Sequence, residues 1–184
     1  MKKTLLSAAI IVPPIFSANA QQASIDFSGN VNAQTCTVSV NGASGGTIKL
    51  PTVTATALAT AGTTTGNTRF TIAVAGCTMP GSGAAPAVKA FFNHGASVST
   101  SGRLLNTASN GAANVTLQIK DEANNVIDIG GKDQGNDNNG VWKTLTGATT
   151  AGTASLIYIA EYYAEGKAGV GAFASKVLFT MIYK

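Results

Sequence analysis

Charge is scarce in this chain. Of its 184 residues only 11% are Asp, Glu, Lys or Arg, with 12 basic against 8 acidic side chains. The basic residues form no run and no arginine-rich patch, so nucleic-acid binding has no electrostatic footprint. There is a single histidine, His94, a single tryptophan, Trp142, and only two cysteines, Cys36 and Cys77. Two cysteines without a further His or Cys cluster do not make a zinc site. His94 follows Phe91-Phe92-Asn93 and precedes Gly95, the setting of a strand end. No Ser–His–carboxylate arrangement can be built around it, which leaves nucleophilic hydrolysis without a base. No stretch holds a helical period, and none is apolar for the roughly eighteen residues that a membrane helix needs.

What the chain does have begins with a targeting signal. Lys2 and Lys3 precede an apolar run, Leu5 to Phe16, and Ala18-Asn19-Ala20 reads as a small-x-small cleavage site. Residues 1–20 are thus expected to be a signal peptide. Cleavage after Ala20 leaves Gln21 to Lys184, with 10 basic against 8 acidic side chains. A chain of that length makes one domain with a real core. Export to an oxidising compartment makes a disulfide the natural reading of Cys36 and Cys77. The loop so closed would contribute about 4 kcal/mol in the chain-entropy model.

The patterning is that of short strands. Alternation and turn residues predict strands at Thr37–Val40, Thr47–Leu50, Arg69–Val74, Val88–Phe92, Gly102–Asn106, Val115–Lys120 and Val126–Ile129. A further short strand is expected around Trp142 and Leu145, with Trp142 as a core anchor. One helical turn is expected at Ala57–Ala61, and a polar surface loop at Gly130–Gly140. Within that loop Asp133 to Gly140 has the composition of a calcium loop but neither the EF-hand spacing nor its terminal Glu. Leu156–Tyr163 is apolar on both faces, as in a central strand. Phe173–Lys184 alternates again, with Phe173, Val177, Phe179, Met181 and Tyr183 on one face. Short strands at regular spacing argue for an antiparallel β-sandwich.

The segment Ile25 to Thr35 organises the reading. Ile25, Phe27, Gly29, Val31 and Ala33 fall on one face, and Asp26, Ser28, Asn30, Asn32 and Gln34 on the other. Gly29 interrupts the apolar face, and a glycine there permits close approach of another backbone. Taken alone, this is either the first strand of a self-contained sandwich or a strand made to be received by a groove.

Four features in this order resemble the pilins of the chaperone–usher pathway, of the type 1 fimbrial kind. They are the N-terminal alternating strand with its central glycine, the pair Cys36 and Cys77, the terminal alternating strand with the penultimate aromatic Tyr183, and Gly171, fourteenth from the C-terminus. The resemblance covers residues 21–184 and implies an all-β, incomplete immunoglobulin-like sandwich over residues 36–184. Residues 21–35 would be a donor-strand extension carrying Ile25, Phe27, Gly29, Val31 and Ala33. Gly171, Phe173, Val177, Phe179, Met181 and Tyr183 would line the receiving groove and contact a periplasmic chaperone. The implied partners are neighbouring pilin subunits, that chaperone and an outer-membrane usher. No cofactor, metal or catalytic step is implied, and the product would be an extracellular adhesive fimbrium. A tip adhesin or lectin-like module is the alternative. A tip subunit would not need Ile25 to Thr35.

Overall fold

The strongest strand-forming run, Thr64–Cys77, becomes the spine of a five-stranded antiparallel sheet. The computed structural model describes residues 36–80, 83–135, 142–148 and 151–184. The strands are β1 (Thr37–Val40), β2 (Thr64–Cys77), β3 (Ala87–Phe92), β4 (Leu104–Leu105), β5 (Val115–Asp121), β6 (Lys143–Thr144), β7 (Gly152–Ala164) and β8 (Phe179–Tyr183). One sheet has the order β1-β2-β7-β5-β4 and the other β6-β3-β8. The chain is therefore an all-β sandwich of two antiparallel sheets. The apolar run Leu156–Tyr163 lies in β7, the central strand of the larger sheet, as its two apolar faces require. The register of β2 on β7 shifts between Thr65 and Thr68. Gly66 sits there at φ 75°, a conformation other residues avoid, and a Cβ would come within 2.8 Å of the Tyr162 ring.

Alternation puts Phe70, Ile72 and Val74 of β2, Leu117 and Ile119 of β5, and Leu156, Tyr158 and Tyr162 of β7 into the core. From the other sheet come Val88, Ala90 and Phe92. Aromatic rings join the two layers. Tyr158 stacks on Phe70 at 5.6 Å and meets the edge of Phe92 at 5.1 Å, and Phe92 contacts Phe179 at 6.2 Å. The Cys36–Cys77 disulfide ties the start of β1 to the end of β2.

Several local expectations change. Thr47–Leu50 forms no strand; Ile48 and Leu50 instead pack half-buried against the core edge, ahead of Pro51. The helical turn is a 3-10 turn at Ala55–Leu58, a little earlier than expected, and it buries Leu58. Val126–Ile129 makes one bridge, Lys120 with Val126, then turns away as the Ile129 N–H donates to the Gly102 carbonyl. The loop after Gly130 contains a 3-10 turn, Lys132–Gly135. Trp142 is not in the core. It lies half-buried, with the Lys89 and Lys184 ammonium groups 4.8 and 4.5 Å from its ring centroid.

The outer face of the large sheet carries an ionic network that alternation alone would read as a solvated surface. Glu161 of β7 is 1% exposed. It accepts a hydrogen bond from the Gln118 amide and lies 2.5 Å from the Lys120 ammonium. Beside it, Arg103 holds Glu165 through two bonds of 2.8 and 3.2 Å and lies 4.0 Å over the Tyr163 ring. The Arg103 hydrogen bond, with a further one from the Thr116 hydroxyl, holds the Glu165 carboxyl below its ordinary value of 4.5. A depressed carboxyl stabilises the fold above its unfolded value and loses that contribution as pH falls through the folded value. Acid titration of the midpoint of denaturation should therefore show a decline beginning near pH 4.5 and continuing below it. In Glu165→Gln that part of the decline should be absent. An unchanged pH profile in the variant would remove this pair from the acid response.

Candidate strand-accepting edge

The smaller sheet has β3 at its centre, and the pairing of β8 on β3 fixes what β8 presents. Ala87 and Lys184 exchange both backbone bonds, each at 2.9 Å, and the Asn93 N–H donates to the Leu178 carbonyl at 2.8 Å. With Lys89 opposite Ile182 and Phe91 opposite Thr180, the backbone groups of Thr180 and Ile182 also point at β3. Those of Phe179, Met181 and Tyr183 consequently point the other way. No strand among the described residues pairs with that side of β8.

The side chains of the same three residues turn inward. Phe173, Val177, Phe179, Met181 and Tyr183 are all half-buried and packed on the core, and the residues between them from Ala174 to Thr180 are exposed or, at Ser175, half-buried. Burial thus alternates from residue 173, whereas the strand ladder starts only at 179. The reason is local. Residues 171–174 bond to residues 106–112 rather than to a strand. The Thr107 N–H donates to the Ala174 carbonyl at 2.7 Å, and Ala112 and Ala172 are joined at 2.8 Å. Asn106 fastens both sides: its Oδ1 accepts from Ala108 and Ala174, and its Nδ2 donates to Ala112 and Ala172. Burial is the first cause raising the Tyr183 hydroxyl above its ordinary pKa.

At the start of this run a cleft of about 300 Å³ opens between residues 50–55 and 168–173. Leu50, Val53, Leu58, Tyr162, Val170 and Phe173 line it. Phe173 meets the edge of Tyr162 at 5.4 Å, and Val170 is 93% exposed. Phe173 lines the cleft and is also the first residue of the half-buried apolar face that ends at Tyr183 on β8.

The sequence-derived residues thus divide. Phe173, Val177, Phe179, Met181 and Tyr183 come together on one face. Gly171 lies at the head of the run with a structural reason of its own. A Cβ there would sit 2.5 Å from the Ala112 nitrogen, 2.6 Å from the Gly111 carbonyl carbon and 2.7 Å from the Asn110 oxygen. Ile25, Phe27, Gly29, Val31 and Ala33 lie outside the described residues. Asn106, the hub of the segment, carries no periodic signal; only its place between a short strand and a glycine-rich turn could have marked it.

Known proteins resemble this chain in sequence and in fold. Residues 50–184 match the family described as Type-1 fimbrial protein, A. The major fimbrial subunit SMF-1 of Stenotrophomonas maltophilia is 40% identical over 170 residues, spanning 91% of this chain and 95% of that protein. The F17 fimbrial protein of Escherichia coli is 35% identical over 187 residues, spanning all of both. Among solved structures, the P pilus rod subunit PapA superposes with a TM-score of 0.60 at 19% identity, covering 81% of this chain and 99% of that one. A subunit of a chaperone–usher pilus superposes at 0.56 and 20% identity, covering 91% and 99%. At those identities the two structures speak for the fold.

Because backbone atoms cannot move aside as a flexible side chain would, Gly171→Ala should separate residues 110–112 from the head of the terminal run. A loss of about 1–3 kcal/mol in chemical denaturation is expected. A variant of unchanged stability would show that the close approach is not required.

Proposed function

This chain belongs to the type-1 fimbrial protein family, and we propose that it is a structural subunit that polymerises by donor-strand exchange into a surface fimbria. One observation carries the reading. β8 presents outward-directed backbone groups at Phe179, Met181 and Tyr183 on a strand whose apolar side chains are only half-buried. Such an edge favours the addition of a further strand. Donor-strand complementation among pilins is an established instance of that recognition mode. What is particular to this chain is the set of residues that would perform it.

The partner of that edge, on this reading, is residues 21–35 of a neighbouring copy. The lengths correspond: Ile25–Thr35 and Phe173–Tyr183 are each eleven residues, or roughly 36 Å when extended. Each ladder bond formed would contribute about 1 kcal/mol net. Burial of Ile25, Phe27 and Val31 would add roughly 1.5–3 kcal/mol apiece. Gly29 would lie where the floor of the groove leaves no room for a side chain. Before assembly a periplasmic chaperone would occupy the same edge, with contacts along Gly171 to Tyr183, and an outer-membrane usher would catalyse the exchange. The chain would thus pass through the periplasm to an extracellular fibre that supports attachment. No step in this sequence is catalytic chemistry by the subunit.

Deleting Gln21–Thr35 from the exported chain should leave chaperone binding intact and abolish polymerisation, as read by native gels and electron microscopy. Fibres formed by that truncation would sink the reading. Gly29→Leu should slow strand exchange at least tenfold while leaving the fold of residues 36–184 unchanged. Exchange at the natural rate would take Gly29 out of the mechanism.

A further inference from the structure

The opposite edge of the same sheet is closed, and side chains close most of it. The alternation that turns the backbone groups of Phe179, Met181 and Tyr183 outward on β8 also turns those of Val88, Ala90 and Phe92 away from β8. β6 covers only Ala87 and Val88. The Ala90 N–H donates to the Tyr158 hydroxyl at 3.4 Å, reached across the core from β7. At Phe92 the side chain of Gln134 takes the place of a strand. Its Oε1 accepts from the Phe92 N–H at 2.9 Å, and its Nε2 donates to the Phe92 carbonyl at 2.9 Å. Those are the two bonds of a hydrogen-bonded pair in an antiparallel ladder, supplied by one primary amide. The Gly130 N–H adds a third bond, to the same carbonyl, at 3.0 Å. Gln134 is held for this by its own 3-10 turn, where its N–H donates to the Gly131 carbonyl at 3.2 Å.

The need for such a closure follows from the sequence of β3. Ala87–Phe92 reads AVKAFF, a β-prone strand whose side chains are largely buried already, so what it could offer an incoming strand is the outward backbone groups of Ala90 and Phe92. An alternating strand with a glycine carries nothing that tells one edge from the other, so the receiving sheet must discriminate. We propose that Gln134 is a specificity-determining residue for strand addition: its side-chain amide closes the β3 edge, so that an incoming strand pairs with β8 alone. This deepens the strand-insertion reading and rests on it for the identity of the incoming strand.

The test uses the full exported chain, a synthetic peptide of residues 21–35, and hydrogen exchange read by mass spectrometry. In the natural chain the peptide should protect residues 177–183 and leave 87–92 unaffected. In Gln134→Ala the Phe92 amide should exchange about tenfold faster, a second peptide should bind, and its protection should fall within 90–92, the part of β3 that β6 does not cover. Gln134→Glu keeps the length and the acceptor but loses the donated bond, and should move the same way to a smaller extent. The proposal is overturned if both variants keep 87–92 inaccessible to peptide with binding still one to one, or if the natural chain already takes a peptide there. Failure of the strand-insertion reading looks different: the peptide then protects neither edge of the natural chain. Closure by Gln134 is in that case read from sedimentation, where Gln134→Ala should self-associate through 87–92 and the natural chain should not; a monomeric variant would overturn it.

Discussion

The register of β8 on β3 is the constraint from which the rest follows. Once Ala87 and Lys184 exchange their backbone bonds, every second residue of β8 must direct its N–H and C=O away from the sheet. Those residues are Phe179, Met181 and Tyr183, and their side chains face the core. A shift by one residue would turn the apolar side chains to solvent and bury Thr180 and Ile182 in their place. The same residues therefore supply the apolar floor and the outward-directed polar groups. A strand laid beside them would meet both needs together, which a detergent-like apolar ligand or a lone hydrogen-bonding group would not.

Phe92 shows how closely the open edge is tied to the remainder of the fold. Its ring touches Tyr158 of the large sheet and Phe179 of β8. Its backbone is bonded by Gln134 on one side and faces Phe179 on the other. Tyr158 contributes twice, through its ring to the core and through its hydroxyl to Ala90. Burial pushes that hydroxyl up to about 12, with the bond from Ala90 opposing, so it stays protonated across the physiological range. The position of β8 is thus set by the central strands of both sheets. The disulfide adds a local restraint between the start of the first strand and the end of the second.

Much of this was legible in the sequence wherever a period of two ran long enough. Phe70-Ile72-Val74, Val115-Leu117-Ile119 and the doubly apolar Leu156–Tyr163 each led to a strand, and the last to the centre of its sheet. The terminal alternation gave the correct face from Phe173 to Tyr183 but overstated the ladder, because the hydrogen bonds of residues 171–174 go to a loop and composition does not say where a backbone bonds. Thr47–Leu50 alternates as a strand does and has no strand beside it among the described residues. Three features left no periodic trace. Glu161 is buried on an outer face because Gln118 stands opposite it and Lys120 diagonal to it on the neighbouring strand β5. Trp142 is held by two lysines rather than by the core. Gln134 acts through its amide at a position that reads as ordinary loop. All three depend on pairings between residues far apart in the chain, which a one-dimensional pattern does not contain.

The contrast between the two edges of the small sheet bears on how a fibre of such subunits would hold together. On the proposed reading, three large anchors contribute roughly 5–9 kcal/mol of apolar burial before any ladder bond is counted. Each 1.4 kcal/mol changes an equilibrium constant about tenfold. A strand seated along β8 would then leave rarely. Along β3 the side chains of Val88, Ala90 and Phe92 are already buried, so a misplaced strand would gain backbone pairing there and little more. Pairing there would still join subunits in the wrong geometry, and any strand held at that edge is withheld from β8. The discrimination has to exist before the strand arrives. Two hydrogen bonds already made at Phe92 provide it at little cost in stability, because an edge that is satisfied offers an incoming backbone nothing to pair with.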